Sequence, residues 1–422
     1  MFDQSHHVEL LDDERPGDAE AAKLDELISH FSLHDPEVQR HRVALYHRMQ
    51  QTCPVSQSDQ FGGCFAVSTY KGLYEAAHAP ERFSSFPVTI PPFGNPVPMV
   101  PIEVDPPLHA KYRSLVHGKF SPKAVAAMEE PIRAIVVELL DGLAGRREVD
   151  LAEELAVPLP MRVLFSLLLG VPSKDWEELF RLSMILLQPD PTLSEEAKIQ
   201  ARGGAGMEMA GYFAGLLASL REHGYGDDLI SDLDQAEVDG QQLTDEQIFG
   251  FCLLLVNAGF DTTASAISRM FNLFGLRPEI REAIRERVDD PVALEVAVDE
   301  VIRYISPVAG LARTVTEDCV LEGTPLAEGA RIHLLWPAAN RDPEEFPDPD
   351  EFVVDRRPNR HVGFGSGIHR CLGLHIARGE VKILLEEFLR RMPDYRLSET
   401  APPVWHTGET WGVKSLPVVF DV

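Results

Sequence analysis

The sequence predicts one large domain, mainly α-helical with a minor β part, and three observations support this. Apolar residues recur at helical spacing through most of residues 130 to 240. A stretch from Ile248 to Val256 is apolar nearly all round, as a helix buried through the middle of a domain should be. Strand-like pieces are short and gather mainly beyond Ser306-Pro307. No internal repeat or low-complexity linker divides the chain, so residues 26–422 read as one domain. Residues 1–25 are charged and poor in apolar side chains, and are expected to form a mobile or loosely docked lead.

In chain order, Phe65-Ala66-Val67-Ser68-Thr69-Tyr70 is a candidate strand. From Ser84 to Pro107, prolines 87, 91, 92, 96, 98, 101, 106 and 107 alternate with apolar residues such as Phe86, Ile90, Phe93, Met99 and Ile102. Proline forbids regular helix there, so a long semi-rigid loop is expected, its side chains covered by the core or by a ligand. Leu108 to Phe120 turns helical and carries His109, Lys111, Arg113, His117 and Lys119; Lys123 follows, and no acid appears until Glu129. Amphipathic helices come next, among them Ile132–Leu143 and Trp176–Leu187, with interruptions expected at Gln188-Pro189-Asp190-Pro191 and at Gly203, Gly204 and Gly206. Thr244-Asp245-Glu246-Gln247 has the capping-box pattern and starts the buried helix. Leu294 to Ile305 is again helical, and Arg331 to Leu335 is strand-like. A Pro/Asp-rich loop over 342–358 leads to Phe364–Gly373.

Composition narrows the functional classes. An apolar share of 44% is ample for a core, and 39 basic against 67 acidic residues give a net charge of -28, which disfavours nucleic acid and anionic membranes as partners. Cys53, Cys64, Cys252, Cys319 and Cys371 are scattered with no C-x-x-C pair, which fits a reducing compartment without disulfides or structural zinc. Met1 to Leu24 holds no apolar signal segment, and no run reads as long and apolar enough to cross a bilayer. The expectation is a soluble, cytoplasmic protein.

Four groups of residues carry chemistry. Cys371 lies in a glycine-punctuated loop (Gly365, Gly367, Gly373) just ahead of a helical stretch. Unpaired N–H groups at a helix start favour a thiolate, and the glycines allow close approach of a flat group. A lone thiolate suits the axial position of a haem iron better than zinc, which needs three or four ligands. Within the buried helix, Ala258-Gly259-Phe260-Asp261-Thr262-Thr263 breaks the apolar pattern. Ala258 and Thr262 share a face, which makes either a notch lined by a hydroxyl with an acid nearby, or a kink in which Thr262 bonds back to a carbonyl. His109 and Arg113, at i and i+4, form either a carboxylate clamp or a solvated basic face, and His369 is either a third donor or an ordinary loop histidine. Glu300 and Arg303, at i and i+3, taken alone read as a surface ion pair.

Together these residues resemble a cytochrome P450 of the soluble bacterial type, in the camphor-hydroxylase-like class. Phe364 to Gly373 fits the haem signature F-G-x-G-x-H-x-C-x-G without a mismatch, Ala258–Thr263 fits the oxygen-activation motif, and Glu300-x-x-Arg303 fits E-x-x-R. Asp105-Pro106-Pro107-Leu108-His109 with Arg113 fits the bacterial pattern, with weaker agreement at Asp227–Ser231 and Ala377–Glu380. The resemblance spans about residues 30 to 420 and implies the P450 fold, with haem b between the long central helix and the cysteine loop. It implies Cys371 as the iron ligand, and Thr262 with Asp261 as the alcohol–acid pair that delivers protons. His109, Arg113, Arg313 and His369 would hold the propionates, with Phe364, Gly365, Gly373 and Ala258 also against the cofactor. Glu300 and Arg303 would be structural, with Arg356 the expected partner and Arg357 the alternative. The substrate pocket would draw on Ile90, Phe93, Val256, Asn257, Val308, Leu311, Thr410 and Trp411, with the 182–193 region. Phe260, Ile90 and Phe93 point to an apolar substrate, and Asn257 is either a polar anchor or a water-satisfied amide. The implied activity is monooxygenation of an apolar small molecule with O2, by hydroxylation or epoxidation. Electrons would come from a ferredoxin and its NAD(P)H-dependent reductase, with docking on Lys111, Arg113, Lys119, Lys123 and Arg370. A peroxide-driven hydroxylase and a haem-binding protein without turnover are the alternatives. Peroxide-driven members usually lack the acid–alcohol pair, which Asp261 and Thr262 supply.

Overall fold

Capping chemistry sets many of the helix starts in the computed structural model, which describes residues 20–421 apart from 189, 191 and 192. α1 (Ala21–Ser29) and α2 (Arg42–Thr52) form the N-terminal layer, with Leu24, Leu45, Tyr46 and Met49 buried in one cluster. The lead expected over 1–25 lies mostly outside the described residues; its last part, from Ala21, is helical and buries Leu24. Thr69 accepts a hydrogen bond from Gly72 N–H and so caps α3 (Tyr70–His78). That cap shortens the candidate strand at 65–70, which ends at Val67.

α4 (Leu108–His117) carries the basic run, and α5 (Pro122–Leu143) starts with Ser121 as cap and Pro122 at its first position. α6 (Trp176–Leu187) matches its sequence reading. α7 (Glu195–His223) does not, because it runs unbroken through Gly203, Gly204 and Gly206. Three glycines cost a helix roughly 1 kcal/mol each. Burial of Met209, Phe213 and Leu217 against neighbouring helices outweighs that cost. The capping box opens α8 (Asp245–Gly259): Thr244 N–H donates to Gln247 Oε1 at 2.8 Å, and Gln247 N–H donates to Thr244 Oγ1 at 3.2 Å. After Phe260 the chain continues as α9 (Asp261–Leu276). The span Asp245–Leu276 is, against the sequence expectation, long and apolar enough to cross a membrane by length and composition; 72% of its apolar window is buried within the fold.

α10 (Pro291–Ile305) is capped by Asp290, and α11 (Leu374–Arg391) packs along α5. Arg133 of α5 bonds Glu386 and Glu387 of α11 at 2.7 Å each. The minor β part is led by a five-stranded sheet of β1 (Val55–Ser58), β2 (Cys64–Val67), β3 (Phe83–Ser84), β4 (Leu311–Val315) and β5 (Arg331–Leu334). Its order is β1-β2-β5-β4-β3; β5 runs parallel to β2 and the other pairs are antiparallel. A hairpin of β6 (Val404–His406) and β7 (Gly412–Ser415) lies against α9.

Two polar devices place the loops of the site. Glu103 accepts from Val88 N–H at 3.1 Å and Met99 N–H at 2.9 Å, which folds the Pro-rich segment on itself, and Val100 N–H reaches Gly250 O of α8 at 3.2 Å. Glu300 is fully buried and takes Arg303 Nε and Nη2 at 2.8 and 2.9 Å, Arg356 Nε at 3.1 Å, and Val353 N–H at 2.8 Å. The two guanidiniums then donate to the carbonyls of Asn340, Pro347, Asp348, Pro349 and Glu351. The pair that alone read as superficial is therefore the pin that holds the Pro/Asp-rich loop, with Arg356 and not the exposed Arg357 as third member.

Candidate active site

The cysteine loop turns twice through left-handed backbone, at Gly365 (φ +69°) and Gly367 (φ +71°), and a Cβ on Gly367 would collide with the Ala77 carbonyl of α3. Cys371 N–H donates to Phe364 O at 2.8 Å, which closes the loop directly before α11, whose N-cap is Gly373. Burial pushes the Cys371 thiol up, against the lowering effects of the Gly373 N–H, Arg113 and Arg370. The helix start therefore acts as the sequence predicts, but desolvation outweighs it.

Beside this loop, three elements converge. His109 and Arg113 come from α4, Arg313 from β4, and His369 from the loop itself. The rings of His109 and His369 meet edge-on with centroids 4.3 Å apart. Both Nε2 atoms are buried without a hydrogen-bond partner among the described residues. Arg113 Nη2 donates to Arg370 O at 2.6 Å, and Arg313 Nη1 to Ala312 O at 2.7 Å. Burial lowers Arg313 to about 10, and burial with the neighbouring Arg313, His109 and Arg113 lowers His369 to about 2. None of the four has a carboxylate ion-pair partner among the described residues. Two guanidiniums clustered with two orphaned imidazole nitrogens fit an anionic guest, and the two propionates of a haem meet that need. Arg113, Arg313, His369, Phe364, Gly365, Gly373 and Ala258 line one cavity with Cys371; His109 stands behind His369.

Across the cavity, the central helix breaks at Phe260 (φ −119°, ψ −41°). Thr262 Oγ1 donates to Ala258 O at 2.9 Å, so the notch and the back-bonded kink are the same feature. Asp261 is 6% exposed, and burial raises its carboxyl to about 6 although Gln188 and Thr410 donate to it. Gln188 Nε2 lies 2.8 Å from Asp261 Oδ1 and 3.3 Å from His406 Nε2. An acid that titrates near 6 beside a hydroxyl can take up and pass on protons at neutral pH.

Between these poles the cavity measures about 300 Å³. Phe93, Asn257, Val308, Leu311 and Thr410 line it, joined by Val88, Met99, Ile102, Leu254, Leu255, Leu187 and Gln188. Ile90, Val256, Phe260 and Trp411 do not. Ile90 is buried with Cys64 and Ala312, and Val256 lies in the main core. Phe260 packs on Phe180 with ring centroids 5.7 Å apart, and Trp411 Nε1 donates to Leu33 O at 3.0 Å. Sequence reasoning missed the contact of Gln188 with Asp261, the half-buried His406, and Glu380, whose Oε2 has no partner among the described residues and whose carboxyl burial raises well above its ordinary value. Glu380 left a trace in the weak Ala377–Glu380 agreement, and Gln188 in the 182–193 pocket region.

On the cysteine side, the expected basic face is partly neutralised. Lys111 pairs with Asp239 and Lys119 with Asp227, both at 2.6 Å, while Lys123 and Arg370 are exposed.

Comparison with known proteins agrees with this geometry. The family profile described as Cytochrome P450 matches residues 163–393. A methyl-branched lipid omega-hydroxylase of Mycobacterium tuberculosis is 35% identical over 371 residues, covering 85% of this chain and 84% of that protein. A steroid C26-monooxygenase of Mycolicibacterium smegmatis is 35% identical over 363 residues, covering 85% and 88%. Among solved structures, CYP109E1 from Bacillus megaterium in complex with testosterone superposes with a TM-score of 0.80 at 35% identity, covering 90% of this chain and 97% of that one. The clustered donors, the cysteine loop and these relatives lead to one conclusion: the chain belongs to the cytochrome P450 family, and is a haem b monooxygenase.

Proposed function

We propose that this P450 inserts one oxygen atom from O2 into an apolar, lipid- or steroid-like small molecule, by hydroxylation or epoxidation. The supporting observation is a single cavity that joins Cys371 to the Asp261–Thr262 pair through a mostly apolar wall. Haem b bound through Cys371 supplies redox-active iron. The chain's own residues do the rest. Thr262, when it leaves the Ala258 carbonyl, offers a hydroxyl proton, and Asp261, held by Gln188 and Thr410, replenishes it. Phe93, Ile102, Leu254 and Leu255 exclude water and favour apolar ligands. The acid–alcohol pair supports dioxygen over peroxide as oxidant. The names of the relatives, a lipid hydroxylase and a steroid monooxygenase, support the substrate class. Cys371→Ser should abolish the thiolate-type band in the carbon monoxide difference spectrum of the reduced protein; a retained band would refute the ligand assignment.

Electrons would come from a separate ferredoxin and its NAD(P)H-dependent reductase, docking on the cysteine side. Since Lys111 and Lys119 are held by acids of the same chain, Lys123 and Arg370 are the residues expected to attract an acidic partner most strongly, with Arg113 behind them. Turnover with ferredoxin should fall as ionic strength rises, and a flat salt dependence would sink this docking reading.

A further inference from the structure

One polar atom of the substrate wall has no role in the proton chemistry. Asn257 is 7% exposed and lines the cavity next to Ala258. Its Nδ2 faces Met99 Sδ, a weak acceptor, at 3.8 Å, and its Oδ1 has no hydrogen-bond partner among the described residues. Val88, Phe93, Met99, Ile102, Leu254 and Leu255 are among the apolar residues of the same cavity, and Thr89 Oγ1 is committed to Pro91 O at 2.9 Å. An amide oxygen in such surroundings needs a donor, and a ligand that fills the pocket must either bring one or leave Oδ1 bare.

We propose that Asn257 is the specificity-determining residue of this pocket. Its Oδ1 accepts a hydrogen bond from a hydroxyl on an otherwise apolar substrate, so the preferred class is a lipid-like alcohol, polycyclic or branched. The inference rests on the apolar-substrate reading above and narrows it. A hydrocarbon offers Oδ1 nothing, and a ketone offers Oδ1 no donor and must draw Nδ2 away from Met99 Sδ to be bound. The competing site is Gln188 Oε1, also without a partner among the described residues, at the Asp261 end of the cavity.

The test uses the haem-loaded protein and three ligands with one carbon skeleton: a steroid alcohol, the matching ketone and the matching hydrocarbon. Dissociation constants are read from the ferric Soret spin-state shift and, for ligands that leave the spectrum unchanged, by calorimetry. Wild type should bind the alcohol about tenfold or more tightly than the other two. Asn257→Leu should erase that preference by loosening the alcohol while holding the hydrocarbon at least as well. Equal binding of the three by wild type overturns the proposal without any variant. A preference that survives in Asn257→Leu overturns it too, and moves the acceptor to Gln188. If none of the three binds by either method, the apolar-pocket reading fails and the inference with it.

Discussion

Replacing Asp261 with asparagine is expected to stabilise the protein above pH 6 while slowing its turnover. Burial holds the Asp261 carboxyl at about 6, against an ordinary 3.8, despite hydrogen bonds from Gln188 and Thr410. The folded protein therefore keeps this proton at a pH where the unfolded chain has lost it. Below about pH 4 both states are protonated and the residue has no effect on stability; stability then falls as pH rises from 4 to 6, and the full penalty persists above. At about 1.4 kcal/mol per pH unit, that penalty approaches roughly 3 kcal/mol. Asparagine has the same shape, keeps an acceptor for Gln188 and carries no charge to desolvate. Urea unfolding of wild type and Asp261→Asn should coincide near pH 4 and diverge to as much as about 3 kcal/mol in favour of the variant by pH 7 to 8. Turnover should drop by roughly a hundredfold or more, the usual weight of a positioned acid. A variant no more stable than wild type at pH 8, or a gap that ignores pH, would show that Asp261 ionises without cost and remove the raised acid from the mechanism.

Two further outcomes follow from the same contacts. Glu300→Gln leaves two nearly inaccessible guanidiniums, those of Arg303 and Arg356, without their shared charge. Breaking a buried pair in this way costs about 3–5 kcal/mol, which for a chain of this size lowers Tm by about 3–6 °C. Calorimetry checks this, and a Tm within about 1 °C of wild type would mean that the pin carries little stability. Gln188→Leu removes a donor that holds Asp261 as carboxylate, so its pKa should rise further and the alkaline limb of the kcat–pH profile, where the acid loses its proton, should move up. An unmoved limb would detach Gln188 from proton delivery.

Local chemistry explains what was legible in the sequence. The capping box at Thr244–Gln247 and the Gly365 and Gly367 turns each depend on a few consecutive residues and stand in the structure as their patterns imply, and the spacing of Glu300 to Arg303 carries their pairing though not its burial. Two elements departed from their readings for opposite reasons. The strand at 65–70 ended early because the Thr69 hydroxyl satisfies a helix N–H. α7 continued through three glycines because tertiary packing outweighed local propensity. The pocket residues divide similarly. Asn257 and Val256 are neighbours in sequence, yet one faces the cavity and the other the core, because each helical residue turns about 100° from the last.

By itself, then, the sequence determined the chemical groups this protein brings to bear: a cysteine in a tight loop, an acid–alcohol pair in a buried helix, and a set of histidine and arginine donors. These follow from residue type and short-range backbone geometry, which few competing conformations disturb. Only the tertiary structure decided which groups meet. It chose Arg356 over Arg357, turned Ile90, Phe260 and Trp411 away from the cavity, set Gln188 against Asp261, and tied Lys111 and Lys119 to acids far along the chain. Those outcomes depend on the phase of each helix, the break at Phe260 and the packing of distant segments, and no run of neighbouring residues encodes them.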